Sequence, residues 1–452
     1  MSIPTAGFIS SFDIGSGLYS DLSQSAGDGN PPKEGQSRYP YHVSAPILTL
    51  YLEIYHHKLY PVWPIVDKQN LIARLGDTLD TESYILASSV CIASILQLQL
   101  SAVDVAGREL EPQIIIEEIE ALRRSLDHRE NISLDGLSVS FFLHVAHLHM
   151  KRQSTSTLLL REAISMAHML DLHRPAHYTG LSYSQINSDL RVIWLLYITE
   201  QAHALQYDLP CTLNVPSDLP ALQADAEPFT LAAFASLCGM FKALSEASTD
   251  SKQTIEALSL IHSRLQKLPS PLQPYNQLQK ADVGVTQHWT RLQLWKLAVS
   301  RIKMTSDPSG DVTSLLFPVC VTRDLLNEVS AIPVDNLEAH GSGMELKLFE
   351  FVNAIADVMV CMPHRWAQGT SIGPREYLMH LGKVLGGFRG GNQALLPLLR
   401  SRFTELGLAL PSIPRIVELN QNSSDSSPGR LIDVDHEIID EDHGDFAGAW
   451  NQ

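Results

Sequence analysis

A chain of 452 residues with 44 % hydrophobic side chains can enclose one large core or several smaller ones. Its 50 acidic residues against 33 basic ones leave a formal net charge of −17, which opposes broad, sequence-independent phosphate binding. Five cysteines (Cys91, Cys211, Cys238, Cys320 and Cys361) are odd in number and never approach C-x2-C spacing, so neither a zinc site nor a disulfide framework is indicated. Each reads as a small buried side chain in a reducing compartment.

Residues 1–38 are rich in Ser, Gly and Asp and end in "GNPPKEGQSRYP", the composition of a flexible arm that is disordered for want of apolar content. No basic n-region with a long apolar core opens the chain, so no secretory signal is read there. From Ser44 helical periods follow one another. "APILTLYLEIYHHK" comes first and runs into "LYPVWPIVD", Leu59–Asp67, where two prolines bracket an aromatic. Proline sets its own φ and restricts the residue before it, so this stretch is expected as neither helix nor central strand.

"SYILASSVCIASILQLQL" is apolar nearly all round and predicts a buried helix. Serines and glutamines interrupt it, and it falls short of a bilayer span of roughly 20 residues, so no membrane partner is expected and the chain reads as soluble and intracellular. "GLSVSFFLHVAHLHM" and "STSTLLLREAISMAHML" predict two more helices, joined by the polar "KRQ". "DLRVIWLLYITEQAHAL" follows, stopped by the proline-rich "DLPCTLNVPSDLP". Further helical patterns are "TLAAFASLCGMFKAL", "TIEALSLIHSRLQKL", Thr286–Val299, "LLFPVCVTRDLLNEV" and "ELKLFEFVNAIADVMV". No polar–apolar alternation lasts long enough to argue for a sheet. The basic doublets Arg123-Arg124 and Lys151-Arg152 read as solvated helix faces.

"LMHLGKVLGGFRGGNQALLPLLRSRFTELGL" predicts helix, glycine-rich turn and helix, with Gly386 and Gly387 at a helix end and Asn392 as an N-cap. Beyond about residue 416 the chain turns acidic. Leu431, Ile432, Val434, Ile438, Ile439, Phe446 and Trp450 are spaced among carboxylates, the pattern of many activation segments. The expected fold class is all-α: a disordered arm 1–38, one large multi-helix domain 39–415 and an acidic, disordered tail 416–452.

Candidate chemistry is sparse. His144 and His147 share a helix face, but no carboxylate stands at ligand spacing and His149 points elsewhere, which favours packing over a metal pair. The glycines of "GKVLGGFRGGN" fit neither G-x4-G-K-[ST] nor G-x-G-x2-G and read as a turn. "GLSVS" and "HGSG" are not nucleophile elbows. No catalytic residue, metal ligand or cofactor is expected.

Three stretches together resemble the regulatory middle-homology region of fungal zinc-binuclear-cluster transcription factors. "LYLEIYHHKLYPVWPIVD" is similar to that family's aromatic helix and aromatic-Pro plug, followed by a helix carrying "LIARL". "STLLLREAISMAHMLDLHR" resembles its helix ending in Leu-Gly-Leu-His-Arg. Leu170, Leu172, His173 and Arg174 match, whereas Asp171 stands where glycine is usual, and Thr157 and Arg161 stand where Trp and Gly are frequent. In "RVIWLLYITEQAHALQYDLPCTL", Arg191, Trp194, Tyr197, Glu200 and Pro210 fall at the family's spacing. Gln201 replaces a basic residue there and Asp208 a glycine. "FRGGNQALLPLL" and the run "SYILASSVCIASILQLQL" look closest to the sugar-utilisation branch.

The resemblance implies a plug that packs Tyr60, Val62, Trp63 and Ile65 across the first helices, and a buried polar contact on the Arg191–Glu200 helix. It also implies a nuclear regulator of a metabolic pathway. Its expected partners are a DNA-bound factor, or homo- or hetero-oligomers, and the transcription machinery through the acidic tail. The family reads DNA with six cysteines around two metal ions. No cysteine precedes Cys91 here, so direct DNA binding by such a cluster is not expected of the chain as written. A sequestering module that inhibits a related factor is the alternative, ahead of an all-α enzyme.

Overall fold

The computed structural model describes residues 42–76, 80–105, 108–214, 228–249, 255–267, 277–307, 311–362, 373–388 and 395–410. Among these the chain is all-α. The helices are α1 (Ala45–Lys58), α2 (Lys68–Leu75), α3 (Thr81–Leu98), α4 (Pro112–Ser125), α5 (Leu134–His149), α6 (Gln153–Met169), α7 (Tyr183–Tyr207) and α8 (Pro228–Thr249). Then come α9 (Ile255–Lys267), α10 (Gln277–Arg301), α11 (Phe317–Val329), the short α12 (Val334–Glu338), α13 (Ser342–Cys361), α14 (Pro374–Gly387) and α15 (Leu395–Glu405).

Local chemistry sets many of the starts. Asp67, Asp80 and Ser133 each accept a hydrogen bond from a backbone N–H three residues on, at Asn70, Ser83 and Gly136. Ser182 and Gln185 form a reciprocal capping box at the head of α7. Pro46, Pro112 and Pro318 stand in first turns, where no helical N–H partner is lost. Gly386 and Gly387 end α14 as expected.

Packing arranges these helices in two groups inside one continuous hydrophobic core. In the first, α3 is buried almost all round, touched by α1, α2, α4 and α5, while α5 pairs with α6 as a helical hairpin. In the second, α10 is the buried axis, contacted by α8, α9, α11, α12 and α13, with α14 and α15 against α13. Helix α7 packs on α6 and on α8 and so bridges the groups.

Four expectations need correction. A two-stranded antiparallel hairpin, β1 (Val103–Val105) with β2 (Arg108–Leu110), lies between α3 and α4. Three residues per strand are too few for alternation to show. Arg123 is buried and not solvated, because Ser140 of α5 and Glu162 of α6 take its guanidinium. Cys211 and Cys361 are exposed and Cys320 is half-buried, while Cys91 and Cys238 are buried as read. Lastly, α3 is long and apolar enough to cross a membrane by length and composition; in the fold neighbouring helices cover it.

Candidate functional site

Between α1 and α2 the plug is a compact series of turns. Tyr60 donates its N–H to the Tyr55 carbonyl at 2.7 Å and Trp63 to the Leu59 carbonyl at 2.8 Å. The Tyr55 hydroxyl donates in turn to the Trp63 carbonyl. Leu59, Pro64 and Val66 are the fully buried members, whereas Tyr60, Val62, Trp63 and Ile65 are half-buried. Trp63 meets Phe141 and Phe142 edge-on at 6.0 and 6.2 Å, and Tyr60 meets Tyr55 at 6.2 Å. The plug reaches further than the first helices. Arg191 of α7 donates to the Tyr60 hydroxyl at 2.8 Å, and Gln279 of α10 reaches the Pro61 carbonyl at 3.4 Å. This stiff segment is therefore a crosspiece, seated on α1 and α5 and bonded by α7 and α10.

The second centre is the seam between α6 and α7. Glu200 is 1 % exposed, which is costly for a carboxylate unless it is paired and hydrogen-bonded. Its Oε1 accepts from the Thr212 N–H at 2.8 Å and the Thr212 hydroxyl at 2.7 Å, and its Oε2 from the Leu213 N–H at 2.8 Å. Arg161 supplies the charge: its Nη1 donates to Glu200 and its Nη2 to the Pro210 carbonyl. One carboxylate and one guanidinium thus clamp the strap 209–213 onto α7. Arg161 stands at a departure from the resembled family, and so does Thr157, whose hydroxyl bonds His203 Nε2 at 2.8 Å. Both departures on α6 thus find their partners on α7, Arg161 at Glu200 and Thr157 at His203.

The two aspartates that replace glycine have a backbone explanation. Asp171 has φ +57° and Asp208 φ +52°, the left-handed region where glycine is at ease. After α6 the Asp171 N–H bonds the His168 carbonyl and the Leu172 N–H the Ala167 carbonyl, a Schellman ending. After α7 the Leu209 N–H bonds the Ala204 carbonyl in the same manner. Relief of the left-handed penalty outweighs the extra freedom that glycine has when unfolded. Asp208→Gly therefore stabilises the chain by about 0.5 kcal/mol, and Asp208→Val, β-branched at positive φ, destabilises it by more than ~1 kcal/mol. Urea-unfolding midpoints of the two variants check both signs.

The three clustered histidines diverge. His144 Nδ1 faces the Ser156 carbonyl at 2.9 Å, so that nitrogen carries the proton. His149 Nε2–H donates to Gln97 Oε1 at 2.5 Å on α3, and buried His147 has no hydrogen-bond partner at Nδ1. Among the described residues no three His, Cys, Asp or Glu side chains gather to hold a metal ion.

A further polar network surrounds α10, and nothing in the sequence marked it. Arg291 donates to Asp324 at 3.2 Å, to His288 Nδ1 at 2.9 Å and to His262 Nε2 at 3.3 Å. His288 passes the chain on through Nε2–H to Glu328 at 3.0 Å. Leu278, Ala281, Val285, Trp289 and Leu292 give α10 an apolar stripe, and polar residues off that stripe, Arg291 among them, read as a solvated face.

Burial pushes the pKa of His144 down to about 3 and those of His149, His203 and His262 to about 4. Charge on Arg161 adds to the effect at His203, and charge on Arg291 adds to it at His262. An unfolded histidine takes its proton near pH 6.5, so acid favours the unfolded state. This stability is complete above about pH 6.5 and is lost as the pH falls toward 4, by up to ~1.4 kcal/mol per pH unit for each histidine. Urea midpoints at about pH 7 and 5 should differ steeply; a flat profile counts against four neutral buried imidazoles.

Comparison with known proteins agrees with the three motifs. Maltose fermentation regulatory protein MAL13 of Saccharomyces cerevisiae is 24 % identical over 323 residues, 68 % of this chain and 67 % of that one. Maltose fermentation regulatory protein YPR196W is 23 % identical over 387 residues, 83 % of this chain and 80 % of its own. Respiratory transcription factor ZNF1, also of S. cerevisiae, is 22 % identical over 399 residues, 85 % and 82 % of the two chains. The chain is a relative of fungal transcriptional regulators. No family model matches it, and no solved structure does. By this kinship it is a metabolic transcriptional regulator.

Proposed function

We propose that this regulator acts in the nucleus on genes of sugar utilisation, through its helical body, residues 39–415, and the acidic segment 416–452. The observation that carries the reading is the match of maltose-fermentation regulators to as much as 83 % of the chain. The helical body would respond to metabolic state, and the strap and plug would hold its two helix groups in register. DNA would be reached through a partner factor or an oligomer. The tail and Asn392 lie outside the described residues, and the tail's role rests on its acidic–hydrophobic spacing. Contact with the transcription machinery would bury its aliphatic and aromatic side chains as the segment folds.

Chromatin occupancy of a C-terminally tagged copy at native expression, in cells grown on maltose, tests the reading. Discrete promoter peaks that include sugar-utilisation genes are expected. An intact, abundant protein without enrichment overturns it.

A further inference from the structure

The stretch "HGSG", His340–Gly343, has no place in the strap or the plug, yet its first two residues stand at a junction of the two helix groups. Gln97 of α3 donates its Nε2–H to the Ala339 carbonyl at 2.9 Å across 242 positions of sequence. Because that amide nitrogen donates, Gln97 Oε1 accepts, which makes His149 of α5 the donor in the neighbouring bond. On the other side His340 Nε2–H donates to the Leu278 carbonyl of α10 at 2.9 Å. Its Nδ1 stands 4.0 Å from Asp282, which Lys347 of α13 approaches at 3.6 Å. Gly341 sits between, at φ +62° and ψ −150°, a backbone that glycine alone adopts readily. A Cβ there would stand 2.8 Å from His149 Cε1 and 2.9 Å from Gln97 Nε2.

We propose that the Ala339–Gly341 corner is the coupling joint of the regulator, so that α10 and α13 can shift only if α3 and α5 shift with them. The hydrogen bonds make the joint directional, and close packing at Gly341 leaves no slack: a small displacement on one side becomes a displacement on the other. Neither the strap nor its Arg161–Glu200 pair takes part. The regulatory use of the joint rests on the function proposed above; the mechanical coupling does not.

Gln97→Met keeps the volume of the side chain and removes both hydrogen bonds. Hydrogen exchange of the full-length chain, read by mass spectrometry, should show α10 and α13 exchanging roughly tenfold faster while α3 and α5 hold their rates. Equal change in both groups, or none, overturns the joint. Global unfolding in Gln97→Met, repeated in His149→Phe, makes the contact a requirement of the fold and also overturns it. In cells, a reporter whose output differs between maltose and glucose should lose that difference in Gln97→Met at unchanged protein level; retained difference overturns the regulatory use. A wild-type reporter that never differs counts against the proposed function, and the exchange rates still decide the coupling.

Discussion

Arg161→Met lowers the stability of the chain by about 3 kcal/mol, the lower end of the loss expected when one partner of a buried ion pair is removed. The lower end applies because the Arg161 side chain is 25 % exposed, whereas that of Glu200 is 1 % exposed. Without the guanidinium, Glu200 keeps the Thr212 and Leu213 donors but loses its counter-charge, and the Pro210 carbonyl loses its donor. Arg161→Lys recovers only part of the loss, since one ammonium cannot span Glu200, Thr212 and the Pro210 carbonyl as the planar fork does. The double variant Arg161→Met, Glu200→Met costs less than the sum of the single changes, because no charge is stranded. Urea unfolding followed by circular dichroism measures all four. A loss below ~0.5 kcal/mol for Arg161→Met would place the pair among ordinary surface bridges. At the expected size, it takes a sizeable share of the 5–15 kcal/mol that holds typical domains folded, and cellular protein level falls with it.

Phe142→Ala is the larger loss, about 4 kcal/mol. Phe142 is fully buried, and its ring meets Tyr55 at 5.9 Å, Trp63 at 6.2 Å and Phe141 at 5.4 Å. Truncation removes the surface on which the plug rests and leaves a cavity that two proline-stiffened turns collapse into poorly. Leu158→Ala on the exposed face of α6 is the control: with that side chain 69 % exposed, it changes stability by less than about 0.5 kcal/mol. Equal effects of the two substitutions would remove the plug from the core.

These two centres were unequally legible. The plug could be read because prolines act on their own residue and the one before, and α1 ends at Lys58 where the proline-bounded stretch begins. Which of its side chains go deepest could not be read: the turns bury Leu59, Pro64 and Val66 and leave Trp63 half-buried, although Trp is the largest of them. Asp171 and Asp208 were visible as departures from glycine, and their left-handed backbone became the reason only once φ was known. Glu200 could be singled out as the acid of the motif on α7, but Arg161 stands 39 positions away on another helix.

What the sequence determined by itself is helix content, order and approximate ends, because period, caps and prolines act within a few residues of one another. What only the tertiary structure decided is partnership. Arg191 finds Tyr60 across 131 positions, Gln97 finds Ala339 across 242, and Arg123 turns inward because Glu162 and Ser140 meet it there. A buried polar residue and a solvated one look alike on a helical wheel, since the carboxylate that makes burial tolerable is supplied by another helix.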